Sequence, residues 1–532
     1  MTFLSARRMA VILAATAAIL VTAVLPSTAG AVVKPDLGIP CSGSNIEGLG
    51  STFQAPVEFI WTGFNWNTKT LTGTGFNVST ALKYPCQGKE EKNTKGETTK
   101  TSGTPTVRYN QESAERGSGA CLKNFGNSGV GLVRTNKFPI CGTDEAPSRA
   151  VEVKMEETSS GKGGEPELES IESIPVLQGA LAVIVHLPKD CLASSEPVVK
   201  GITKKYGRLS LDQATLEGIY RGSITKWSEL NGGKAKNVLT CKEGGAATRI
   251  HPIVRVDKSG TTHIFKEFLA QVNGAAFNAE AFNEINNGGK IEKPCGEPKA
   301  EESKTWANVG EGCENQRWPA AAEVTRNAKN ESGNPGVVNQ VNEEEGSIGY
   351  ADLAVAREMK FFSSNTEGFE GGESKTGEKH TRFWTPLQNN PASVGTTEYA
   401  DPSSTGDNAK LANSNCKSTV YIAKEGETVP PPSTRNDWSQ VKGAKESKTY
   451  SICGLTYLLA YRAYFKYLNP IFGLTEEESK NIATTAHDFM LFAVESAAGG
   501  KEAGTKRDYE KLPANILKIS ENGIKEIGNK VA

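Results

Sequence analysis

Residues 251–272 read HPIVRVDKSGTTHIFKEFLAQV, and this stretch decides the fold class. Its first part, His251–Val256, is rich in β-branched residues and predicts a short strand. Small and polar residues follow in Lys258–Thr261, and then apolar residues recur at the spacing of one helical face. These apolar residues are Ile264, Phe265, Phe268, Leu269 and Val272. The stretch therefore predicts a strand that turns directly into a helix.

Other segments repeat this order of strand and helix. Pro175–Leu187 (PVLQGALAVIVHL) is an almost wholly apolar run, which is typical of a strand buried on both faces, as in parallel sheets. Tyr450–Leu468 predicts a strand that runs into a helix. Helices are expected at Leu211–Tyr220, Pro56–Phe64, Ala120–Phe125, Thr484–Ser496 and Asn515–Ile527. Strands alternating with helices predict an α/β fold with mostly parallel sheets flanked by helices.

Composition excludes several classes of protein. The 532 residues carry 60 Lys and Arg against 61 Asp and Glu, and a basic excess is the usual mark of binding to nucleic acid by bulk charge. Apolar residues make up 37% of the chain, which is ordinary for a globular protein and excludes wholesale disorder. The length is enough for two domains, or for one unit with two lobes.

The first residues predict export. Met1–Ala31 has an Arg7-Arg8 n-region, an apolar stretch and an Ala-Gly-Ala cleavage site, as a secretory signal does, and Cys41 lacks the small residues that would precede a lipid anchor. The other interpretation, a membrane anchor, is disfavoured because the apolar stretch is short for a bilayer. All ten cysteines lie beyond Ala31, and an even number in an exported chain indicates disulfides. With five histidines and no C-x-x-C, no metal or other cofactor is expected.

Four long polar segments interrupt the apolar blocks, at 87–105, 156–170, 286–316 and 362–450. They are rich in Gly, Lys, Glu, Ser, Thr and Asn and hold few large apolar residues. We expect them to be surface insertions outside the core, pinned in places by disulfides. Cys295, Cys313 and Cys416 lie within them.

The turn after the 251–256 strand has the chemistry of an anion site. Ser259 and Thr261 are natural helix N-caps, Gly260 lets backbone approach a ligand, and N–H groups at a helix start attract anions. Arg255 offers a planar fork that suits an oxyanion, and Asp257 can hold that fork in place. Read alone, the same residues also describe an ordinary capped helix with a surface ion pair.

Two similar turns precede other predicted helices. Gly48–Phe53 (GLGSTF) leads into the helix at Pro56–Phe64, and Gly117-Ser118-Gly119 leads into the helix at Ala120–Phe125. Thr143–Pro147 (TDEAP) adds acidic residues. Each turn alone is a weak signal, because Ser, Thr and Gly commonly cap helices. Together they predict a cage of hydrogen-bond donors with one acidic acceptor.

These blocks make the chain resemble the phosphate-binding protein of bacterial phosphate-specific ABC transporters, in the periplasmic-binding-protein superfamily. The blocks that carry the resemblance are GLGSTFQAPVEFIW (48–61), IPVLQGALAVIVHLP (174–188), LSLDQATLEGIYRGSITKWSEL (209–230), IVRVDKSGTTHIFKEFL (253–269), GNPGVVNQVNEEEGSIGYADLAVA (333–356) and GLTYLLAY (454–461). They follow the order of that family and span most of the mature chain. The resemblance implies a two-lobed, type II-like fold in which lobe I comprises 42–178 and 350–532 and lobe II comprises 179–349.

The resemblance also implies the residues of a phosphate site. They are Thr52, Phe53, Ser118, Arg255, Ser259, Gly260 and Thr261, with Asp257 supporting the arginine. The family's acidic acceptor lies in a Ser-Asp-Ala-Pro motif. Because this chain has the longer Thr-Asp-Glu-Ala-Pro, either Asp144 or Glu145 could serve, and Asp144 preserves the Thr-Asp half.

The leading hypothesis is an exported receptor of the periplasm or cell envelope with no evident lipid anchor, monomeric and without catalysis. It captures inorganic phosphate between two lobes and delivers it to the permease of an ABC transporter. The alternatives are an extracellular phosphate-scavenging or interaction protein without a dedicated permease, and a secreted phosphatase. Arsenate is a related candidate anion. Ser223-Ile-Thr-Lys226 matches the S-x-x-K of acyl-serine hydrolases, but no S-D-N accompanies it.

Overall fold

The computed structural model of the chain describes the parts of it that carry the sheet, most of the helices and the predicted site. They are residues 43–65, 70–71, 76, 90–92, 94–95, 98–101, 107–110, 117–126, 138–156, 170–189, 191–193, 209–232, 239–241, 249–255, 257–274, 282–284, 306, 317–319, 322, 325–326, 333–359, 381–388, 399–404, 414, 416, 419–421, 433–439, 441–443, 449–495 and 507–529. The predicted signal at Met1–Ala31 lies outside the described residues.

Ten strands pair into one mixed sheet. In chain order they are β1 (Ile46–Gly50), β2 (Val107–Tyr109), β3 (Ile140–Thr143), β4 (Ile171–His186), β5 (His251–Val254), β6 (Thr325–Arg326), β7 (Ser347–Asp352), β8 (Arg382–Trp384), β9 (Cys453–Tyr461) and β10 (Tyr509–Glu510). Their order across the sheet is β6-β5-β7-β4-β9-β3-β1-β2, and β8 and β10 also pair with β4. Strand and helix alternate as the sequence predicts.

The helices flank this sheet. They are α1 (Ala55–Thr62), α2 (Ser118–Asn124), α3 (Arg149–Glu156), α4 (Gln213–Arg221), α5 (Gly260–Val272), α6 (Gly333–Glu343), α7 (Leu353–Glu358), α8 (Tyr464–Phe472), α9 (Glu476–Val494) and α10 (Ala514–Ile524), with a 3-10 helix at Trp227–Gly232. Short antiparallel pairs join Phe64–Asn65 to Thr70–Leu71, Glu90–Lys92 to Thr98–Thr101, Cys191–Ala193 to Leu239–Cys241, Phe282–Glu284 to Arg317–Pro319, Leu387–Gln388 to Tyr399–Ala400, and Thr419–Tyr421 to Val441–Gly443.

The sheet is parallel on its two flanks and antiparallel at its centre. β1 is parallel to β2 and β3, and β5 is parallel to β6 and β7. The predicted Pro175–Leu187 strand forms as part of β4, which is buried along all but its last residue. Its pairings with β7 and β9 are antiparallel, however. The strand is buried on both faces because helices pack over it, so this burial does not indicate parallel neighbours.

Helix α9 begins eight residues before the predicted start at Thr484. Thr475 and Glu478 form a reciprocal capping box at its start. The first turn carries Glu476, Glu477 and Glu478, which are exposed, so the apolar pattern that marks the rest of the helix does not extend to it. Capping chemistry, and not apolar periodicity, sets this helix boundary.

The long segment 362–450 is not purely a surface insertion, which corrects the expectation from composition. It contributes β8, and Phe383 and Trp384 in that strand are fully buried. Trp438 is also buried and joins a small second core with Tyr457 and Leu455. Adjacent residues of a strand point to opposite faces of a sheet, so Phe383 and Trp384 add large apolar side chains on both faces even where the average composition is polar.

Two disulfides join described residues. Cys121–Cys141 links α2 to β3, and Cys416–Cys453 ties the 362–450 segment to the start of β9, as expected for a cysteine inside an insertion. Cys191 is disulfide-bonded as well. In the part of the chain that the structure describes, no helix is both long and apolar enough to cross a membrane.

Candidate functional site

The three predicted turns meet at one edge of the sheet. Ser51–Phe53 follows β1, Asp144 follows β3 and Arg255 follows β5, so each lies at the carboxyl end of a strand. The starts of α2 and α5 face the same place, because a Cβ on Gly119 would lie within 2.7 Å of Lys258 O. In open α/β sheets, ligands bind at such carboxyl ends. The sequence-predicted residues are therefore brought together into one cluster.

The turn after β1 is fixed by its backbone. Gly50 has φ +140°, and a Cβ there would lie 2.0 Å from Gly142 O, so only glycine fits. Ser51 N donates to Gly142 O at 2.8 Å. The Asn110 side chain accepts from Gly50 N at 2.8 Å and donates to Gly50 O at 3.1 Å. These hydrogen bonds fix the backbone position from which Ser51–Phe53 continue.

Asp144 is the buried acid of the cluster, with 4% of its surface exposed. Ser51 Oγ donates to its carboxylate, 2.6 Å from Oδ1 and 2.5 Å from Oδ2, and Ser118 Oγ lies 3.2 Å from Oδ2. Burial raises the pKa of Asp144 to about 6, although hydrogen bonds from Ser51, Thr456 and Ser118 and the charge of Arg255 work in the opposite direction. The carboxylate is ionised at neutral pH and ready to accept a further hydrogen bond.

Glu145, the other candidate acceptor, occupies a different position. Its carboxylate faces His263, with Oε1 4.0 Å from Nδ1. Its backbone is held by Thr143, whose Oγ1 donates to Glu145 O at 2.6 Å and accepts from Glu145 N at 3.1 Å. Of the two acids, Asp144 is the one that contacts the serines of the cluster.

Arg255 is the buried cation, with 1% of its surface exposed. Asp257 holds it by two contacts, Nε to Oδ1 at 2.7 Å and Nη2 to Oδ2, and Nη1 donates to Thr261 Oγ1 at 3.4 Å. Burial alone would lower the pKa of Arg255, but the charge and hydrogen bonds of Asp257, together with Tyr350 and Asp144, raise it above its usual value. The guanidinium therefore stays charged in a place that water hardly reaches.

The start of α5 approaches the acid closely. Ser259 caps the helix by accepting from Thr262 N at 3.2 Å. A Cβ on Gly260 would lie 2.6 Å from Ser118 Oγ and 2.9 Å from Asp144 Cβ. Glycine at this position is what lets a helix N-terminus, with its partial positive charge, lie against the acid and the serine.

Thr52 and Phe53 contribute in different ways. The Phe53 ring is fully buried and packs edge-on to Tyr509 with 6.0 Å between ring centroids, so its side chain belongs to the core. Phe53 N donates to Ser51 Oγ at 2.9 Å. Thr52 Oγ1 accepts from Asn334 N at 3.2 Å and so links the turn after β1 to the start of α6.

Sequence reasoning missed three residues of the site. Ser51 donates a hydrogen bond directly to Asp144. It could have been found from the sequence, because it is a second hydroxyl residue in the GLGSTF turn. Asn334, in the Gly-Asn that begins α6, contacts both Thr52 and Thr261. Tyr509 OH donates to Phe53 O, from 456 residues away in the chain, and no local pattern indicates such a contact.

Chemically, the cluster combines one buried guanidinium, several hydroxyl and backbone N–H donors, and one buried carboxylate. Among the residues that the structure describes, no three His, Cys, Asp or Glu side chains are grouped so as to hold a metal ion. Several hydrogen-bond donors can bind the oxygens of a small oxyanion, and one carboxylate acceptor can take the hydrogen bond of a proton that the oxyanion keeps.

A family model described as "PBP superfamily domain" matches residues 97–494, which is well over half of the chain. The chain belongs to the PBP (periplasmic-binding-protein) superfamily. This membership and the mixed α/β architecture confirm the predicted α/β fold class. The expectation of mostly parallel sheets is wrong in one respect, because β4 and β9 pair antiparallel with all their neighbours in the described sheet.

Curated relatives and solved structures give the wider context of this PBP-superfamily chain. It is 24% identical over 226 residues to phosphate-binding protein PstS 3 of Mycobacterium tuberculosis (strain ATCC 25618 / H37Rv), which is 42% of this chain and 53% of the relative. PstS3 of Mycobacterium bovis (strain BCG / Pasteur 1173P2) gives the same values. The chain thus spans about half the length of the curated relatives it matches.

Among solved structures, a phosphate-binding protein from Stenotrophomonas maltophilia aligns with a TM-score of 0.46 and 14% identity, covering 90% of this chain and 93% of that one. A putative phosphate ABC transporter substrate-binding protein from Clostridium perfringens aligns with a TM-score of 0.34 and 14% identity, covering 88% and 100%.

Proposed function

We propose that this PBP-superfamily chain is an exported solute-binding protein that captures inorganic phosphate between two lobes. One observation carries the proposal. The buried carboxylate of Asp144 lies in the same cluster as the buried guanidinium of Arg255, among the hydroxyls of Ser118 and Thr261. The names of the curated relatives, all phosphate-binding proteins, support the same anion.

The phosphate site comprises the sequence-predicted residues, with Asp144 rather than Glu145 as acceptor. The anion takes hydrogen bonds from the side chains of Thr52, Ser118, Arg255, Ser259 and Thr261, and from the backbone N–H groups of Phe53, Gly260 and Thr261. Asp257 supports the arginine through its paired contacts. Charge-assisted hydrogen bonds of this kind are roughly twice as strong as neutral ones.

Asp144 gives the site its selectivity. Phosphate near neutral pH keeps at least one P–OH group, which donates to the carboxylate. Sulfate has no proton to donate, so it would leave the buried carboxylate facing a second anion. An unpaired buried charged group costs about 1–3 kcal/mol or more, which corresponds to roughly tenfold to hundredfold discrimination.

We also propose two lobes, with lobe I at 42–178 and 350–532 and lobe II at 179–349. The proposed site draws Thr52, Ser118 and Asp144 from lobe I and Arg255 and Thr261 from lobe II. Binding would therefore favour a closed arrangement of the lobes, which a membrane permease of an ABC transporter can distinguish from an open one. We propose that the protein works as a monomer in the periplasm or cell envelope and delivers phosphate to such a permease.

The proposal includes binding without turnover. Ser223, the serine of the S-x-x-K match, donates its hydroxyl to Gly218 O at 3.2 Å, which holds it at the end of α4. The cluster around Asp144 offers an anion a set of donors and one acceptor, which is enough for recognition. A chromogenic phosphate monoester tests this part, and sustained release of the chromophore by the purified protein would contradict it.

Isothermal titration calorimetry with phosphate, and then with phosphate in the presence of equimolar sulfate, tests the binding proposal. The wild-type protein should bind phosphate and prefer it over sulfate by roughly tenfold to hundredfold. D144N should lose most of that preference, and E145Q should keep it, because Glu145 faces His263. Equal affinity for the two anions, or no phosphate binding, would refute the proposal.

A further inference from the structure

Asn334 joins two hydroxyl groups that come from distant parts of the chain. It is the second residue of α6 and is fully buried. Its backbone N donates to Thr52 Oγ1 at 3.2 Å, and its side-chain Nδ2 lies 3.4 Å from the same oxygen. Nδ2 also donates to Thr261 Oγ1 at 3.2 Å. One amide thus contacts hydroxyls on the turn after β1 and on α5.

The orientation of this amide is fixed by a third contact. Asp352 N donates to Asn334 Oδ1 at 3.3 Å, and a backbone N–H can only donate. The oxygen of the amide must therefore face Asp352, at the end of β7. The NH₂ group is left to face Thr52 and Thr261.

This arrangement determines which way the two hydroxyls donate. A hydroxyl has one hydrogen and two acceptor lone pairs, whereas an amide NH₂ has hydrogens only. Thr52 Oγ1 and Thr261 Oγ1 must both act as acceptors toward Asn334. Thr261 Oγ1 accepts from Arg255 Nη1 as well, at 3.4 Å. The hydrogens of both hydroxyls are then available to a group inside the cluster.

We propose that Asn334 is a positioning residue that makes Thr52 and Thr261 hydrogen-bond donors toward the bound oxyanion. The inference rests on the proposed function, because the oxyanion is the phosphate of that site. Asn334 does not need to touch the anion. It acts by directing the hydrogens of two hydroxyls and by tying the turn after β1 to α5.

Two substitutions separate this role from simple packing. Asn334→Asp keeps the shape but replaces the NH₂ donor by an acceptor, so Thr52 and Thr261 would donate to the new carboxylate and turn away from the anion. Asn334→Ala removes the amide without reversing the hydroxyls. Calorimetry near pH 8 should show phosphate affinity reduced about tenfold in N334A and about a hundredfold in N334D, since each lost or reversed hydrogen bond changes affinity several-fold. A packing role predicts the opposite order, because N334D is nearly isosteric. The new charge of N334D also repels the anion, so the double-mutant cycle with N334A, which adds no charge, tests the direction of the hydroxyls.

The same exchange elsewhere provides the control. Asn469 lies near the end of α8, where its Nδ2 donates to Leu474 O at 2.6 Å. N469D should bind phosphate within about threefold of the wild type, so a large loss in N334D alone assigns the effect to the site. Circular dichroism and thermal unfolding check that each variant is folded.

If N334D does not fold, a double-mutant cycle decides. Replacing Thr261 by Val removes one of the two hydroxyls that Asn334 directs, so adding N334A to T261V should reduce affinity distinctly less than the about tenfold expected in the wild-type background. Equal losses in the two backgrounds overturn the inference, as does N334D binding more tightly than N334A. A wild-type protein that binds no phosphate refutes the proposed function instead, which keeps the two failures distinct.

Discussion

Replacing Asp144 by Asn should stabilise the anion-free protein at alkaline pH. Burial raises the pKa of Asp144 from 3.8 to about 6. The folded protein therefore binds this proton more tightly than the unfolded chain does. The contribution of this group to the free energy of unfolding is fully present below pH 3.8, the pKa of the carboxyl in the unfolded chain. It falls as the pH rises from there to about 6, and it stays reduced at higher pH. At about 1.4 kcal/mol for each pH unit between the two values, the ionised carboxylate lowers the free energy of unfolding by roughly 3 kcal/mol.

Asparagine keeps the shape of the side chain and one oxygen acceptor but removes the charge. That oxygen can still accept from Ser51 Oγ, whereas the bond from Ser118 Oγ loses its acceptor. A typical hydrogen bond contributes about 1 kcal/mol net. D144N should therefore be about 2 kcal/mol more stable than the wild type near pH 8, and about 1 kcal/mol less stable near pH 4, where Asp144 is protonated.

Urea unfolding in phosphate-free buffer at both pH values measures this difference, because bound anion would itself add stability. Other buried carboxyl groups also titrate, since burial raises the pKa of Glu172 to about 7 and of Asp508 to about 6. Comparing D144N with the wild type at each pH cancels their effect. E145Q is the control and should keep the pH dependence of the wild type. If D144N is less stable than the wild type by the same amount at both pH values, the reasoning about buried charge is wrong.

The remaining predictions concern geometry around the site and one element away from it. G260A should reduce phosphate affinity by about tenfold or more in calorimetry with the circular dichroism spectrum unchanged, because its methyl group would meet Ser118 Oγ at 2.6 Å; unchanged affinity would show that α5 can move away. C121A/C141A should lose about 3 kcal/mol of unfolding free energy in urea and also weaken phosphate binding, since the disulfide joins the elements that carry Ser118 and Asp144; a loss of stability alone would contradict the link to the site. T475A removes the capping box of α9 and should cost about 1 kcal/mol in the same unfolding assay with no effect on affinity.

Local sequence patterns predict much of the site, because its key turns are local structures. A strand followed by Ser259-Gly260-Thr261 and a helical apolar face requires only neighbouring residues, and α5 begins where that pattern places it. The pairing of Arg255 with Asp257 also follows from a separation of two residues at a strand end.

Contacts between distant segments are what sequence reasoning could not supply. Asn334 and Thr52 are 282 residues apart, and only the packing of α6 against the turn after β1 brings them together. The choice between Asp144 and Glu145 likewise depends on which side of the turn faces Ser51 and Ser118. Adjacent residues in an extended turn point to different sides, so composition could not decide between them.

The polar segment 362–450 comes close to the site at Trp438 and Ser439. Trp438 and Ser439 line a small cavity together with Asp144 and with His263 and Glu267 of α5. Trp438 packs on Tyr457 with 6.3 Å between ring centroids, and the segment that carries it is anchored where Thr434 O accepts from Ser173 N at 3.0 Å. Desolvation is the largest cause of the raised pKa of Asp144, so whatever covers this side of the acid contributes to it. A segment that composition assigns to the surface therefore lines a cavity beside the buried acid on which the proposed discrimination between phosphate and sulfate depends.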